Sequence, residues 1–323
     1  MTMLCRLAAL VLAAFCLAVA PVAAQDYPVR PVRVLVGFTP GAAADITARV
    51  LASRLTQILH QQVVVENKPG AGSSLAADYV SHAAKDGYTL LIGTSANLTN
   101  AVISQPNLGF DFVKDFAPIA LITTAPVILV VNPSLGVSSV QELIALARQK
   151  PGEINYGSTG VGAAPHLAGE LFNARAGIKT VHVPYQGSPQ AVTDLLAGRV
   201  SMMFSPASAV LPHVKAGKLK ALASATSKRP TAAPDLPTMA EAGLPDFDAS
   251  IWFGLMAPVG TPRPIVDKLA AAVNEALKSD ELKTSYTAQG FDLLGGGPQE
   301  FARSIAADTA RWEVAARAAG LKK

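Results

Sequence analysis

The chain has 323 residues, a formal net charge of +4 and two cysteines. It carries 27 basic against 23 acidic side chains, with no Lys/Arg block and no aromatic-interleaved basic run, so the electrostatic footprint of a nucleic-acid binder is missing. Cys5 and Cys16 both fall within the first 24 residues, which excludes disulfide and thiolate chemistry from the rest.

Arg6 precedes an apolar run from Leu7 to Val19, and Pro21-Val22-Ala23-Ala24 supplies small residues for cleavage. The pattern predicts a secretory leader over residues 1–24. Its apolar run is shorter than a usual membrane span. Phe15, just before Cys16, is a poor match to a lipoprotein cleavage site, which argues against an anchor. The remaining 323 − 24 = 299 residues exceed what one core usually serves, so two domains are expected.

After an extended Tyr27–Pro31 entry, Val32 to Val36 reads as a buried strand. It runs into Gly37-Phe38-Thr39-Pro40-Gly41-Ala42-Ala43-Ala44-Asp45, then a helix with Ile46, Val50, Leu51, Leu55, Ile58 and Leu59 in one stripe. Asp45 sits in its first turn and complements the helix dipole. A strand from Gln62 to Glu66, a small-residue loop (67–74) and a helix carrying Leu75, Tyr79 and Val80 follow. Tyr88 to Gly93 is a third strand, with Thr94-Ser95-Ala96-Asn97 as the loop behind it. Three β–loop–α units in series predict a parallel sheet covered by helices.

Pro118 to Asn132 is apolar and β-rich, and a helix is expected over about Val140 to Lys150. A second series starts at strand 154–156. Its loop, Gly157-Ser158-Thr159-Gly160-Val161-Gly162, leads into a helix with Pro165 in the first turn. Strands at Thr180–Val183, Val200–Phe204 and Leu219–Ser224 alternate with helices at Pro189–Gly198 and up to Gly217. Arg229 to Pro245 reads as a Pro-rich loop with a helical piece near Met239. Ile251 to Ala257 is again a strand, Thr261-Pro262 caps a helix, and a last helix from Pro298 holds Phe301, Ile305 and Trp312. Two long apolar crossings predict two similar α/β lobes joined by a strand hinge, with lobe I formed by 25–124 and 251–323 and lobe II by 125–250.

Ligands of open α/β sheets bind beyond the carboxyl ends of the strands. The loops there are almost all Gly, Ala, Ser, Thr or Asn, which offer backbone N–H groups and hydroxyls to an anion. Taken by itself, the 157–165 loop is equally a tight turn without a ligand. Acid–base or nucleophilic catalysis needs a poised carboxylate, His or thiol, and none of these loops concentrates one. Gly72-Ser73-Ser74-Leu75-Ala76 and Gly93-Thr94-Ser95-Ala96-Asn97 match a nucleophile elbow only in part, leaving a hydrolase acting through Ser73 or Ser95 as the competing reading. His166 and Glu170 lie one helical turn apart and could share a metal, against the plainer reading of an oriented structural histidine. His182 reads as a core residue and Tyr185 as a strand-end residue placed to touch ligand. No cofactor and no metal is expected.

The ordered motifs resemble the Bug-type solute receptors of tripartite tricarboxylate transporters. The carriers are Gly37-Phe38-Thr39-Pro40-Gly41 with Asp45, Glu66-Asn67-Lys68-Pro69-Gly70-Ala71-Gly72 and Asp86-Gly87-Tyr88-Thr89-Leu90-Leu91. Tyr156-Gly157-Ser158-Thr159-Gly160-Val161-Gly162, His166-Leu167-Ala168-Gly169-Glu170, Val183-Pro184-Tyr185-Gln186-Gly187-Ser188 and Asp194-Leu195-Leu196-Ala197-Gly198 complete the set. The resemblance implies a periplasmic binding protein of type II, two doubly wound α/β lobes on a two-strand hinge, with the ligand in the interlobe cleft. It implies a monomer that passes a small organic carboxylate to the membrane subunits of such a transporter, or alternatively signals to a membrane sensor. In the family the first loop (Phe38, Thr39, Pro40, Gly41, Ala42, Asp45) and the second (Ser158, Thr159, Gly160, Val161, Gly162) grip one carboxylate. Ser95, Asn97, Tyr185 and Ser205 would then read the distal part. Many relatives have glycine where this chain has Ala42, so the first loop's approach to ligand is expected to differ. The 205–208 loop offers no carboxylate for an amino group, which favours a plain carboxylate over an amino acid.

Overall fold

The computed structural model describes residues 27–104, 109–226, 228–245 and 247–318; the expected leader and both cysteines lie outside them. β1 (Val32–Val36) is a β-branched run buried almost throughout, as a central parallel strand must be. Helix α1 (Ala43–Leu59) lays Thr47, Ala48, Leu51, Leu55 and Leu59 into the core. β2 (Val63–Asn67), α2 (Ser74–Ser81) and β3 (Thr89–Thr94) repeat the unit, and β1 pairs in parallel with both strands. Helix α3 (Ser95–Ser104) starts directly behind β3, inside the stretch 94–97 that the sequence assigned to the loop before it.

The apolar stretch 118–132 is two strands, β4 (Phe116–Ala125) and β5 (Val127–Val131). Pro126 parts them because it has no N–H to carry a ladder onward. β5 opens the second sheet, followed by α4 (Val140–Gln149), β6 (Asn155–Ser158), α5 (Ala164–Ala176) and β7 (Val181–Pro184). Then come α6 (Ser188–Leu196), β8 (Met202–Pro206), α7 (Ala207–Lys215) and β9 (Lys220–Ser224). The 205–208 segment is therefore no loop: a strand ends at Pro206 and a helix begins at Ala207. Around Met239 the chain forms turns and a bridge from Thr238 to Ser224 rather than a helix.

β10 (Ile251–Pro258) returns the chain to the first sheet, with Ile251 opposite Ala125. α8 (Arg263–Ala276), α9 (Asp280–Ala288), β11 (Asp292–Leu293) and α10 (Pro298–Ala318) close the order. Helix α9 escaped the sequence reading because it buries only Leu282 and Tyr286, too thin a stripe to register as helical. Thr261 does not cap α8; its hydroxyl donates to the Pro258 carbonyl.

The first sheet runs β11-β4-β10-β3-β1-β2 and the second β7-β6-β8-β5-β9. Each has a parallel half, β2-β1-β3 or β7-β6-β8, and antiparallel strands where the chain crosses between sheets. The sheets are thus mixed, since a strand arriving from the opposite lobe runs against its neighbours. Two neighbouring links join them: β4 to β5 through Pro126, and β9 to β10 through a segment whose Ala225 N–H donates to the Val127 carbonyl and whose Ala249 N–H donates to the Ala225 carbonyl. This is a two-lobed α/β architecture. Helix α10 seals the return strand. Trp252 meets Phe301 edge-on at 5.2 Å, and its Nε1 donates to Asp308 at 2.6 Å.

Gly254 of β10 is kept bare by that packing, since a Cβ there would lie 2.3 Å from the Phe301 ring and 3.1 Å from the Ala120 carbonyl. We expect Gly254→Ala to destabilise the protein by about 1–3 kcal/mol, read from chemical denaturation. An unchanged midpoint would mean that Phe301 moves aside freely.

Candidate functional site

The parallel halves of the two sheets put their carboxyl ends, and hence the amino ends of the helices that follow, on either side of one cleft. At its floor is a cavity of about 20 Å³, room for roughly one water. Its wall is made of helix beginnings: Ala42, Ala43 and Ala44 of α1, Ser95 and Ala96 of α3, Ala163, Ala164 and Pro165 of α5, and Ser188 of α6. Pro206, which precedes α7, joins them, and Phe38, Ile251 and Phe253 supply an apolar side. No ionisable side chain is among its lining residues.

First-turn N–H groups of a helix have no partner inside the helix. Side chains usually satisfy them, yet Ala42, Gly187, Ala163 and Pro206, the residues at the cap positions of α1, α6, α5 and α7, provide no side-chain bond. Only α3 is different. Thr94 Oγ1 accepts the Ala96 N–H at 3.2 Å, and Asn97 Oδ1 accepts the Thr94 N–H at 3.0 Å, a reciprocal capping box. The positive ends of several helix dipoles therefore lie around one small, mostly apolar space, which disfavours an ammonium group there; the Ala207 N–H of α7 and the His166 N–H of α5 are already taken by the Pro126 and Ala163 carbonyls.

The expected site residues divide accordingly. Phe38, Ala42, Ser95 and Thr159 line the cavity, and Ser95 Oγ is fully buried without a hydrogen-bond partner. Phe38, Thr159, Gly160, Val161 and Tyr185 line the wider mouth of about 410 Å³, with Gln186 and Gln190. Pro40 and Gly41 are exposed and line neither. Thr39 Oγ1 is buried against Gly187 of the opposite lobe, where a Cβ would come within 2.4 Å. Ala42 adopts extended backbone (φ −72°), so glycine is not required there, and its Cβ narrows the cavity.

Asp45 works behind the loop. Its carboxylate accepts the Gly41 N–H at 2.9 Å, Arg49 Nε at 3.0 Å and Asn67 Nδ2 at 2.8 Å. Burial would raise its pKa, but Arg49, Gly41 and Asn67 together hold it below the usual carboxylate range. Asn97 spends its side chain on the α3 cap and on the Ser73 carbonyl, 3.2 Å away, and does not line the cleft. Ser205 is buried in β8, with Oγ 3.4 Å from the Pro206 carbonyl. Tyr185 turns its hydroxyl away to Asp194 at 2.8 Å, and burial followed by that bond pushes its pKa up to about 12.

Ser158 Oγ accepts the Gly160 N–H and lies 2.6 Å from His182 Nε2, so it shapes its own loop. The Gly162 N–H is taken by His166 Nδ1 at 3.1 Å, and its carbonyl accepts Thr99 Oγ1 of the opposite lobe. A Cβ at Gly162 would fall 1.4 Å from Asn100 Oδ1. Sequence reasoning missed Thr99 and Asn100, which meet Gly162 across the lobe contact, and named Ser188, which lines the cavity, only within the 183–188 motif.

Glu170 takes the Tyr156 hydroxyl at 2.5 Å, so His166 and Glu170 are engaged separately rather than as a ligand pair. Among the described residues no cluster of three potential metal ligands occurs, and no helix is long and apolar enough to cross a membrane. Neither Ser73 Oγ nor Ser95 Oγ has a hydrogen-bond partner, so neither has the base that a serine nucleophile needs.

Residues 47–321 match the family model described as the tripartite tricarboxylate transporter family receptor. The chain is 40% identical over 304 residues to protein BugT of Bordetella pertussis, spanning 94% of this chain and 93% of that one. Among solved structures it superposes on an R. palustris protein with adipate (TM-score 0.88, 38% identity, 91% and 98% of the two chains). It also superposes on MatC from Rhodopseudomonas palustris with bound malate (TM-score 0.86, 34% identity, 90% and 99%). By model, by full-length relatives and by fold, the chain belongs to the Bug-type receptor family of the tripartite tricarboxylate transporters.

Proposed function

We propose that this protein is a non-catalytic periplasmic receptor that captures a small organic carboxylate between its lobes and delivers it to the membrane subunits of a tripartite tricarboxylate-type transporter. The observation that carries this reading is the cavity walled by uncapped helix beginnings with no ionisable side chain in its lining. Such a site supplies helix-dipole complementarity to an anion, with hydroxyls but no ionisable side chain to act as acid or base on it. Adipate and malate in the two relatives support the choice of carboxylate. In this reading the bodies that move are residues 25–124 with 251–323, and residues 125–250.

The roles divide as the geometry does. Phe38, Ala42, Ser95 and Thr159, with first-turn N–H groups of α1 and α5, hold the carboxylate. Gly160, Val161 and Tyr185 face the rest of the solute at the mouth. Thr39, Pro40, Gly41, Asp45, Asn97, Ser158, Gly162 and Ser205 shape the loops or the lobe contact. The floor cavity of about 20 Å³ is far below the roughly 300–1,000 Å³ of small-molecule sites, although the mouth of about 410 Å³ is not. A carboxylate therefore reaches the floor only when the lobes part, and binding favours the closed form by differential affinity.

A thermal-shift panel of mono-, di- and tricarboxylates, aromatic acids and acidic amino acids tests the reading. A ligand at about 100 times its Kd adds roughly 2.7 kcal/mol, a rise of several degrees in Tm. Shifts confined to carboxylates are expected; no shift with any of them, on folded and ligand-stripped protein, rejects the proposal. Gly162→Ala, whose Cβ meets Asn100 across the cleft, should leave each lobe folded yet weaken binding at least about tenfold. X-ray scattering should show that this variant does not compact when ligand is added. Asp45→Ala removes three bonds to a buried carboxylate and should cost about 2–3 kcal/mol in stability. Calorimetry should show weaker binding too, although Asp45 does not line the cleft.

A further inference from the structure

Behind the second-lobe loop stands a stack of three rings. His182 of β7 lies 4.1 Å from His166 of α5 and 5.0 Å from Tyr156 of β6, centroid to centroid, with planes within about 26° of each other. Gly169 admits the stack, since a Cβ there would sit 2.2 Å from the Tyr156 ring. Each imidazole reaches forward to the loop. His182 Nε2 holds Ser158 Oγ, the oxygen that accepts the Gly160 N–H, and His166 Nδ1 accepts the Gly162 N–H.

His166 is the third residue of α5, the position from which a capping box reaches back with Glu or Gln. Helix stability alone would suit a carboxylate there. A carboxylate would also set a full negative charge behind a cleft built of helix N-termini. An imidazole with a bare Nδ1 accepts the same bond and adds no charge.

Building on the carboxylate-receptor reading, we infer that His166 and His182 are positioning residues: as neutral acceptor and brace they hold the 158–162 loop in the shape that receives the anion. Neutrality follows from the surroundings. Burial lowers the His182 pKa to about 4, with His166 adding to the effect. Burial lowers that of His166 as well, opposed by Glu170. The titratable groups around His166 are Tyr156 on β6, Glu170 one turn along α5 and His182 on β7. Helix α3 contributes none, and on α10 Arg311 is engaged by Asp248 and Asp308.

A proton on His166 Nδ1 would face the Gly162 N–H donor to donor and break the bond. Because both folded-state pKa values lie below the unfolded value near 6.5, the loop's order is complete above that pH. It is lost as pH falls below that value, through the lowered pKa of His166 and then that of His182 at about 4.

The test compares wild type, His166→Gln and His166→Glu. Ligand-free hydrogen exchange of the segment 157–167, corrected for intrinsic rates, is followed from pH 7.5 to 4.5. Wild type should lose at least fivefold more protection than the Gln variant, whose amide accepts the same bond and does not titrate. The Glu variant should keep its protection and its Tm at pH 7.5, yet bind adipate at least tenfold more weakly than the Gln variant. Superimposable pH profiles for wild type and Gln, or equal adipate affinities for Gln and Glu, would overturn the inference. Should no carboxylate bind wild type, the receptor reading falls, while the exchange profiles still decide whether His166 holds the loop.

Discussion

The structure depends on leaving helix beginnings uncapped where they meet. Four helices from two sheets begin at one cleft with Ala, Gly or Pro where Ser, Thr, Asp or Asn usually stands. Each cap forgone costs the folded chain a fraction of its stability, about 1 kcal/mol at an alanine and only about a few tenths at Gly187. Two of these first-turn donors find backbone partners, Ala207 N–H at the Pro126 carbonyl and His166 N–H at the Ala163 carbonyl, and the proposed reading gives the others to the ligand. The rest of the site conforms to this choice. Asp45, Asn67 and Asn97 keep their polar groups turned into the scaffold, and the apolar Phe38, Ile251 and Phe253 keep bulk water from competing.

The lobes come together through the sheets rather than through a flexible linker. β4 and β10 pair along their length up to Ala125 and Ile251, so both links leave the first sheet at one place. Beyond it the chain is held by bonds between Val127, Ala225 and Ala249. The two links therefore run side by side out of the first sheet. The α10 helix, clamped through Trp252, Phe301 and Asp308, keeps the first-lobe end of that pair rigid.

The strands and the amphipathic helices were legible because hydrophobic period survives in sequence: Val32–Val36 and the stripe from Leu51 to Leu59 carry their burial openly. What failed was boundary and bearing. Ser95–Asn97 and Ser205–Ser208 look like loops because small polar residues begin helices as readily as they make turns. The loops of the cleft were legible as a set, but not which way each side chain faces. Asn97 and Ser158 were read as pointing to ligand, and they bond Thr94 and His182 instead. His182 read as a plain core residue, yet its ring braces a loop 24 positions earlier in the chain. Contacts made only between lobes, such as Gly162 with Thr99 and Asn100, leave no local signature at all.

The contact between Gly162 and Asn100 also sets a dimension. With the lobes this close, the cavity at the floor of the cleft has room for about a single water molecule, while the mouth above it opens to about 410 Å³. On the proposed reading, a carboxylate seated at that floor holds the two halves further apart, by an amount that its own bulk decides. On that reading the molecule acts as a caliper. A second protein touching both halves would meet a spacing set by the cargo, and could tell one load from another without touching the cargo itself.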